Sequence, residues 1–291
     1  MLNVKGPSGY NSCPRCKVTG TRTYYSEEKS SNIHFVDLHE TERTAEDYLN
    51  SENYGTEKHH FHKGPTKLSE IMDPVWQCVV DNMHAGYGTI KKLTLAMIEG
   101  YPSFPEKIKP VISASGKNVL SLTLKNIAEE RLWPMEFARK PRSLKFIHKY
   151  KSTEWRQFFL YTGIPILKGK IPEDHYYSFL SCAIRYLNMY DNYSLEMAKL
   201  ARKMLERFIS ITILLYGEPF VVHVVHILYH MPEDAYHFGK IDKLSCFEFE
   251  DGNFELGRKV SSGNRPIEQI VNWWNRKVYC EMLKKSLDDV D

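Results

Sequence analysis

The hydrophobic pattern divides the chain near residue 66. Residues 1–65 show no sustained period. Gly, Ser, Thr and charged residues dominate there, and the one strand candidate is Ile33 to Leu38. From Leu68 onward apolar residues recur every three to four positions (Leu68, Ile71, Val75, Val79), the spacing of one helix face. Similar reasoning predicts helices over Tyr87 to Ile98, ended by Gly100 and Pro102, and over Asn118 to Glu130. Three prolines and two glycines make residues 99–118 a loop, and Pro134 and Pro141 break the following stretch. Thr153 is read as the cap of a helix from Glu154 to Tyr161 that stops at Gly163 and Pro165. Pro172 opens a helix to about Met189, and Ser194 caps a long one to Tyr216. Pro219 starts a histidine-bearing helix that ends at Pro232, and a last helix covers Arg265 to Leu287 with Trp273, Trp274 and Tyr279 on it.

The expected fold is therefore mainly α, with few short strands. An irregular segment, 1–66, precedes a helical domain, 67–291, and no internal repeat or low-complexity linker separates them. A chain of 291 residues that is 42% hydrophobic can bury a substantial core. The longest apolar run, Phe208 to Tyr216, is too short to span a bilayer, and Met1 to Pro7 has no apolar leader. The expectation is a soluble, intracellular protein that is not secreted and has no membrane partner. Net charge is only +3, but it is unevenly spread. Residues 131–170 hold ten Lys/Arg and two acids, whereas 26–57 hold nine acids and two bases. Such polarity fits a nucleic-acid face opposite an acidic one, or simply a solvated surface.

Six scattered cysteines do not form a secreted disulfide framework. Cys78, Cys182, Cys246 and Cys280 sit among apolar neighbours and read as buried, reduced thiols. Cys13 and Cys16 differ, because C-x-x-C places two thiolates on one turn. His226 and His230 are four apart and share a helix face. Two sulfurs and two imidazoles make a closed tetrahedral Zn²⁺ site of the structural kind, stapling the N-terminus to a distant helix. The alternative is a surface thiol pair and a packed histidine helix. His223, one turn earlier, is a competing ligand or a supporting residue. His59-His60-Phe61-His62 is a second candidate cluster or, more simply, a polar loop. A zinc peptidase needs H-E-x-x-H, and Ile227 holds the glutamate's place.

Several blocks resemble the catalytic domain of CACTA-type, transposon-derived DDE transposases. They are Asn3-Val4-Lys5-Gly6 with Ser8-Gly9-Tyr10 and Cys13-x-x-Cys16; Asp81-Asn82-Met83-His84; and Phe137-x-Arg139-Lys140-Pro141-Arg142-Ser143-Leu144. Thr153-Glu154-x-Arg156-Gln157-Phe158-x-Leu160-Tyr161-Thr162-Gly163, Val225-His226 to His230, and Ser245-Cys246-Phe247-x-Phe249-Glu250 follow in the family's order. The resemblance implies an RNase H-like catalytic core interrupted by a helical insertion. Two aspartates and a glutamate of that core hold two divalent metals that drive attack on a phosphodiester. Carried over by position, Cys13, Cys16, His226 and His230 match the zinc site of the insertion. Glu250 matches the catalytic glutamate, with Glu248 one register slip away. Asp81 and His84 match a D-x-x-H near DNA, or else form a local cap or core hydrogen bond. Arg139, Lys140, Arg142, Lys145 and Arg156 are the candidate phosphate contacts, and Arg156 can instead pair with an acid of the fold.

The family's two aspartates lie upstream of the Asn-Val-Lys-Gly block, where this sequence starts. The expectation is thus a truncated transposase derivative, DNA-binding but inactive alone, with Glu250 an orphaned third carboxylate. Mg²⁺ is expected only where a longer product supplies the aspartates. DNA is the expected partner, with a second copy or a related transposase chain as a further one, in the nucleus or otherwise the cytoplasm. A helical protein-interaction domain is the alternative function.

Overall fold

Helical periodicity becomes helix where caps and terminators agree with it. Ser194 accepts a hydrogen bond from the Met197 N–H and opens the helix Leu195–Tyr216, which Gly217 ends at φ +81°. Its buried stripe is Ala198, Ala201, Leu205, Phe208, Ile209, Thr212 and Tyr216. Tyr87–Glu99 forms as its pattern predicts and ends at Gly100, φ +80°. Ala114–Glu129 starts four residues earlier than expected. The computed structural model describes residues 3–25, 31–55, 60–102, 107–129, 133–134, 137 and 139–288. It is mainly helical; among the described residues the one sheet is a two-stranded hairpin.

Four helices depart from the periodicity, three of them at a proline or its surroundings. The expected helix from Leu68 is one turn, Leu68–Ile71. Pro74 disfavours helical backbone at Asp73, whose carboxylate instead accepts the N–H groups of Val75 and Trp76. The path from Ser152 does not stop at Gly163. It runs as Ser152–Gln157, a wide π turn Phe158–Thr162, then Gly163–Leu167. The π turn accommodates the N–H that Pro165 lacks. A Cβ at Gly163 would lie 2.8 Å from the Phe179 ring, so glycine permits this close packing. Pro232 does not end the histidine segment either. It occupies the first turn of a further helix, Met231–Phe238, where a missing N–H costs nothing. The helix from Pro172 spans only Glu173–Ser181, and the buried Cys182-Ala183-Ile184 turn replaces its expected second half.

The main core joins these helices through Leu93, Phe159, Phe179, Leu205, Phe208 and Phe220, all fully buried. Among the described residues the N-terminal segment has two small clusters, one of Cys13, Cys16, Val18, Ile33 and Phe35 and one of Tyr48, Phe61 and Val75. It is not irregular throughout. β1 (Thr21–Tyr24) pairs antiparallel with β2 (Ser31–His34), Thr21 opposite His34. β1 escaped the sequence reading because its side chains, TRTY, are mostly exposed and carry no apolar alternation. β2 then delivers the chain to the helical domain: the Phe35 N–H donates to the Val221 carbonyl at 2.8 Å.

The chain forms two compact units, Met1–Leu244 and Ser245–Asp291. Within the first unit, strand and ligand-residue contacts tie the N-terminal segment to residues 221–234. The second unit contains helices Phe247–Gly257 and Pro266–Asp288. No helix among the described residues is long and apolar enough to cross a membrane.

Candidate metal centre

Residues more than two hundred positions apart meet at one point. Cys13 and Cys16 lie on the N-terminal loop, His226 ends the short helix His223–His226, and His230 ends the 3₁₀ turn Ile227–His230. Cys13 Sγ is 3.5 Å from His230 Nε2 and Cys16 Sγ is 3.3 Å from His226 Nε2. All four ligand atoms lie within 4.8 Å of one another, and all four residues are buried. In a tetrahedron with sulfur at ~2.3 Å and nitrogen at ~2.0 Å from the ion, the S···N edge is about 3.5 Å. The geometry and the donor types therefore suit a metal ion, and four protein ligands leave no open position.

The surroundings fix each ligand's orientation. His226 Nδ1 lies 3.1 Å from the Phe35 carbonyl, so its N–H donates there and the Nε2 lone pair faces Cys16. β2 is what brings Phe35 to that place. Arg43, 6% exposed, donates from Nε to the Cys13 carbonyl at 2.9 Å and stacks over the Phe61 ring. The Tyr48 hydroxyl donates to the Pro14 carbonyl at 2.7 Å. Arg15, between the cysteines, pairs with buried Asp234 and donates to the Val75 carbonyl. Asp234 in turn accepts the Val80 N–H at 2.8 Å. These supports were missed in the sequence. The one legible signal was an arginine inside the C-x-x-C.

Protonation follows the same contacts. Burial opposes a Cys13 thiolate, but hydrogen bonds from Cys16, His226 and His230 outweigh it and hold this thiol well below its usual range. Cys16 moves upward, through its hydrogen bond to Cys13 and then through burial. Burial pushes His230 down, which keeps it neutral, the form that binds a metal. His223 does not join the ligands: its Nε2 lies 3.3 Å from the Ser12 carbonyl, and its ring meets Phe35 edge-on.

The other predicted residues lie apart from this centre. Asp81 caps the π turn Asn82–Gly86, accepting from the Met83 and His84 N–H groups, and also contacts His84 Nδ1. The D-x-x-H is thus a local cap. Arg142 pairs with Glu154, which is 1% exposed, and donates to the Lys149 carbonyl at 2.8 Å. Arg156 pairs with Asp242 (Nε to Oδ2 2.7 Å), whose other oxygen accepts from the Tyr87 hydroxyl at 2.7 Å. Arg139, Lys140 and Lys145 are exposed. Glu250 is exposed on Phe247–Gly257, in the second unit, and the side chain of Glu248 lies outside the described residues.

His59 also lies outside the described residues. His62 does not belong to a polar loop; it is fully buried, edge-on to Tyr48 and Phe61. Among the four remaining cysteines, Cys182 is buried, Cys78 and Cys246 are half-buried, and Cys280 is exposed on its helix rather than buried. Models of known protein families, curated proteins and solved structures all fail to match this chain.

Proposed function

We propose that the chain is a zinc-stapled helical domain of a transposase-like protein that binds DNA. The convergence of Cys13, Cys16, His226 and His230 from opposite ends of the first unit carries this reading. Two thiolates with two neutral imidazoles form a set whose two negative charges Zn²⁺ neutralises, and a closed set makes the ion structural rather than catalytic. That closure also argues against a zinc hydrolase, which needs a position for water. The same four positions carry the zinc of the transposase insertion in the motif resemblance, and the mainly helical fold agrees with such an insertion. An RNase H-like remnant is assigned to the region around Glu250 on that resemblance alone.

DNA contact is assigned to exposed Arg139, Lys140 and Lys145 as sequence-blind phosphate contacts. The pairing of Arg142 and Arg156 with acids favours a second reading, in which these blocks persist for the scaffold and the surface binds protein.

The test is metal content by elemental mass spectrometry together with DNA anisotropy titrations at several salt concentrations. About one zinc per chain and salt-dependent binding, weakened by Lys140→Gln/Lys145→Gln, are expected. Zinc without DNA binding would leave the helical interaction domain. A folded chain without metal would sink the whole reading.

A further inference from the structure

A second cationic region lies between the N-terminal segment and the helix Tyr87–Glu99. One cleft of about 340 Å³ is lined by Ser8, Arg22, Ser31, Lys92 and His223 among others. Another, of about 530 Å³, is lined by Lys5, Gly9, Tyr10, Arg22 and Lys63. Ser8 and Arg22 line both, so the two form one groove. Four cations meet along it, and none of its described lining residues is a carboxylate.

The fold builds this convergence. The Lys5 N–H donates to the Phe61 carbonyl and the Lys63 N–H to the Asn3 carbonyl, an antiparallel bridge that places Lys5 and Lys63 diagonally on one face. Arg22 is aimed by the Tyr10 hydroxyl, 2.9 Å from Nε, and by Ser31 Oγ, 2.8 Å from Nη1. Lys92 rises from the helix Tyr87–Glu99. Its ammonium donates to the Tyr101 hydroxyl at 3.0 Å and lies over the Tyr101 and Phe220 rings. Burial lowers Lys92 to about 8, with no carboxylate acting against it. An ammonium held this way gains from an anion brought to it. Two acids of the N-terminal segment are engaged elsewhere: Asp47 with Lys17 and the Thr44 N–H, and Asp37 with the His39 N–H.

We propose that this groove binds a phosphate-bearing anion, held between Arg22 and Lys92, with Lys5 and Lys63 receiving a neighbouring phosphate. A guanidinium fork beside an ammonium suits the several oxygens of a phosphate, and a groove with four cations suits more than one phosphate. The source is either the phosphodiester backbone of a nucleic acid or the phosphates of a small molecule. Neither depends on the cations of residues 139–156, so this site can exist where the DNA reading above fails, and the reverse.

The experiment uses the full chain with its metal. Pyrophosphate binding is measured by calorimetry, and binding of a short labelled oligonucleotide by anisotropy at fixed salt. Arg22→Gln and Lys92→Met each weaken pyrophosphate about tenfold or more, whereas Lys140→Gln leaves it unchanged. If the same variants weaken the oligonucleotide and pyrophosphate displaces it, the source is nucleic acid. If only pyrophosphate responds, the source is a small molecule. Should Lys92→Met fail to fold, Arg22→Gln and Lys63→Gln at exposed positions carry the test. Saturable binding of neither probe, or binding that these variants leave unchanged, overturns the proposal.

Discussion

His223, His226 and His230 lie within eight positions, yet the structure gives them different work. The Nδ1 of His226 is taken by the Phe35 carbonyl and its Nε2 faces Cys16, whereas the Nε2 of His223 faces the Ser12 carbonyl. His223→Ala should therefore keep the metal and lose about 1 kcal/mol, the worth of one hydrogen bond. His226→Ala should lose the metal. Equal metal loss in both variants, read by elemental analysis, would contradict the ligand assignment. His175 supplies a pH test away from the metal. Its Nδ1 lies 2.8 Å from the Tyr216 hydroxyl, and burial pushes its pKa below 6.5. Above pH 6.5 the imidazole is neutral in both folded and unfolded chain, so its contribution is complete. Below that, the unfolded chain takes up a proton the folded chain refuses, and stability falls until pH passes the folded pKa. Urea titrations of the zinc-loaded protein between about pH 7 and about pH 5 should show this decline. His175→Gln should make it shallower by at most about 1.4 kcal/mol per pH unit.

Among the elements, helices with caps and apolar stripes were legible and those near prolines were not. Ser194 and Gly217 bound Leu195–Tyr216 as the sequence implies. Pro165 and Pro232 were read as stops, but one follows a π turn and the other sits in a first turn. A proline states only which hydrogen bond is missing. Whether that bond was needed depends on the backbone around it. Terminal glycines are less ambiguous. Gly239 ends Met231–Phe238 at φ +84°, and a Cβ there would lie 2.3 Å from the Asp191 carbonyl oxygen. Gly239→Ala should cost about 2 kcal/mol or more, combining left-handed backbone with a clash against main chain. An unchanged thermal midpoint would show that this turn relaxes freely.

The whole first unit is closed by a link spanning more than two hundred residues, and its two sides differ in intrinsic stability. The helical side has a large core, while the N-terminal side has two small clusters, one made partly of the ligands themselves. Small cores depend on metals for their stability. Chelation should therefore raise amide exchange across residues 3–62 well before it does so in Tyr87–Glu99 and Leu195–Tyr216. Mass spectrometry of exchange with and without chelator reads this directly. Simultaneous exposure of both sides would mean that the metal holds the entire unit.

The sequence by itself determined the mainly helical class and the ligand set, since helical period and ligand spacing are local properties of the chain. C-x-x-C and H-x-x-x-H each fix a half-site without knowledge of the other. What joined the halves was tertiary: the poorly patterned hairpin β1–β2 carries Phe35 to His226, and the Arg15–Asp234 pair anchors the cysteine loop. Tertiary structure also decided that Arg142 and Arg156 pair with Glu154 and Asp242. A guanidinium in a basic stretch looks the same in sequence whether it faces solvent or a buried carboxylate. Only folding brings the acid, twelve or eighty-six positions away, within reach.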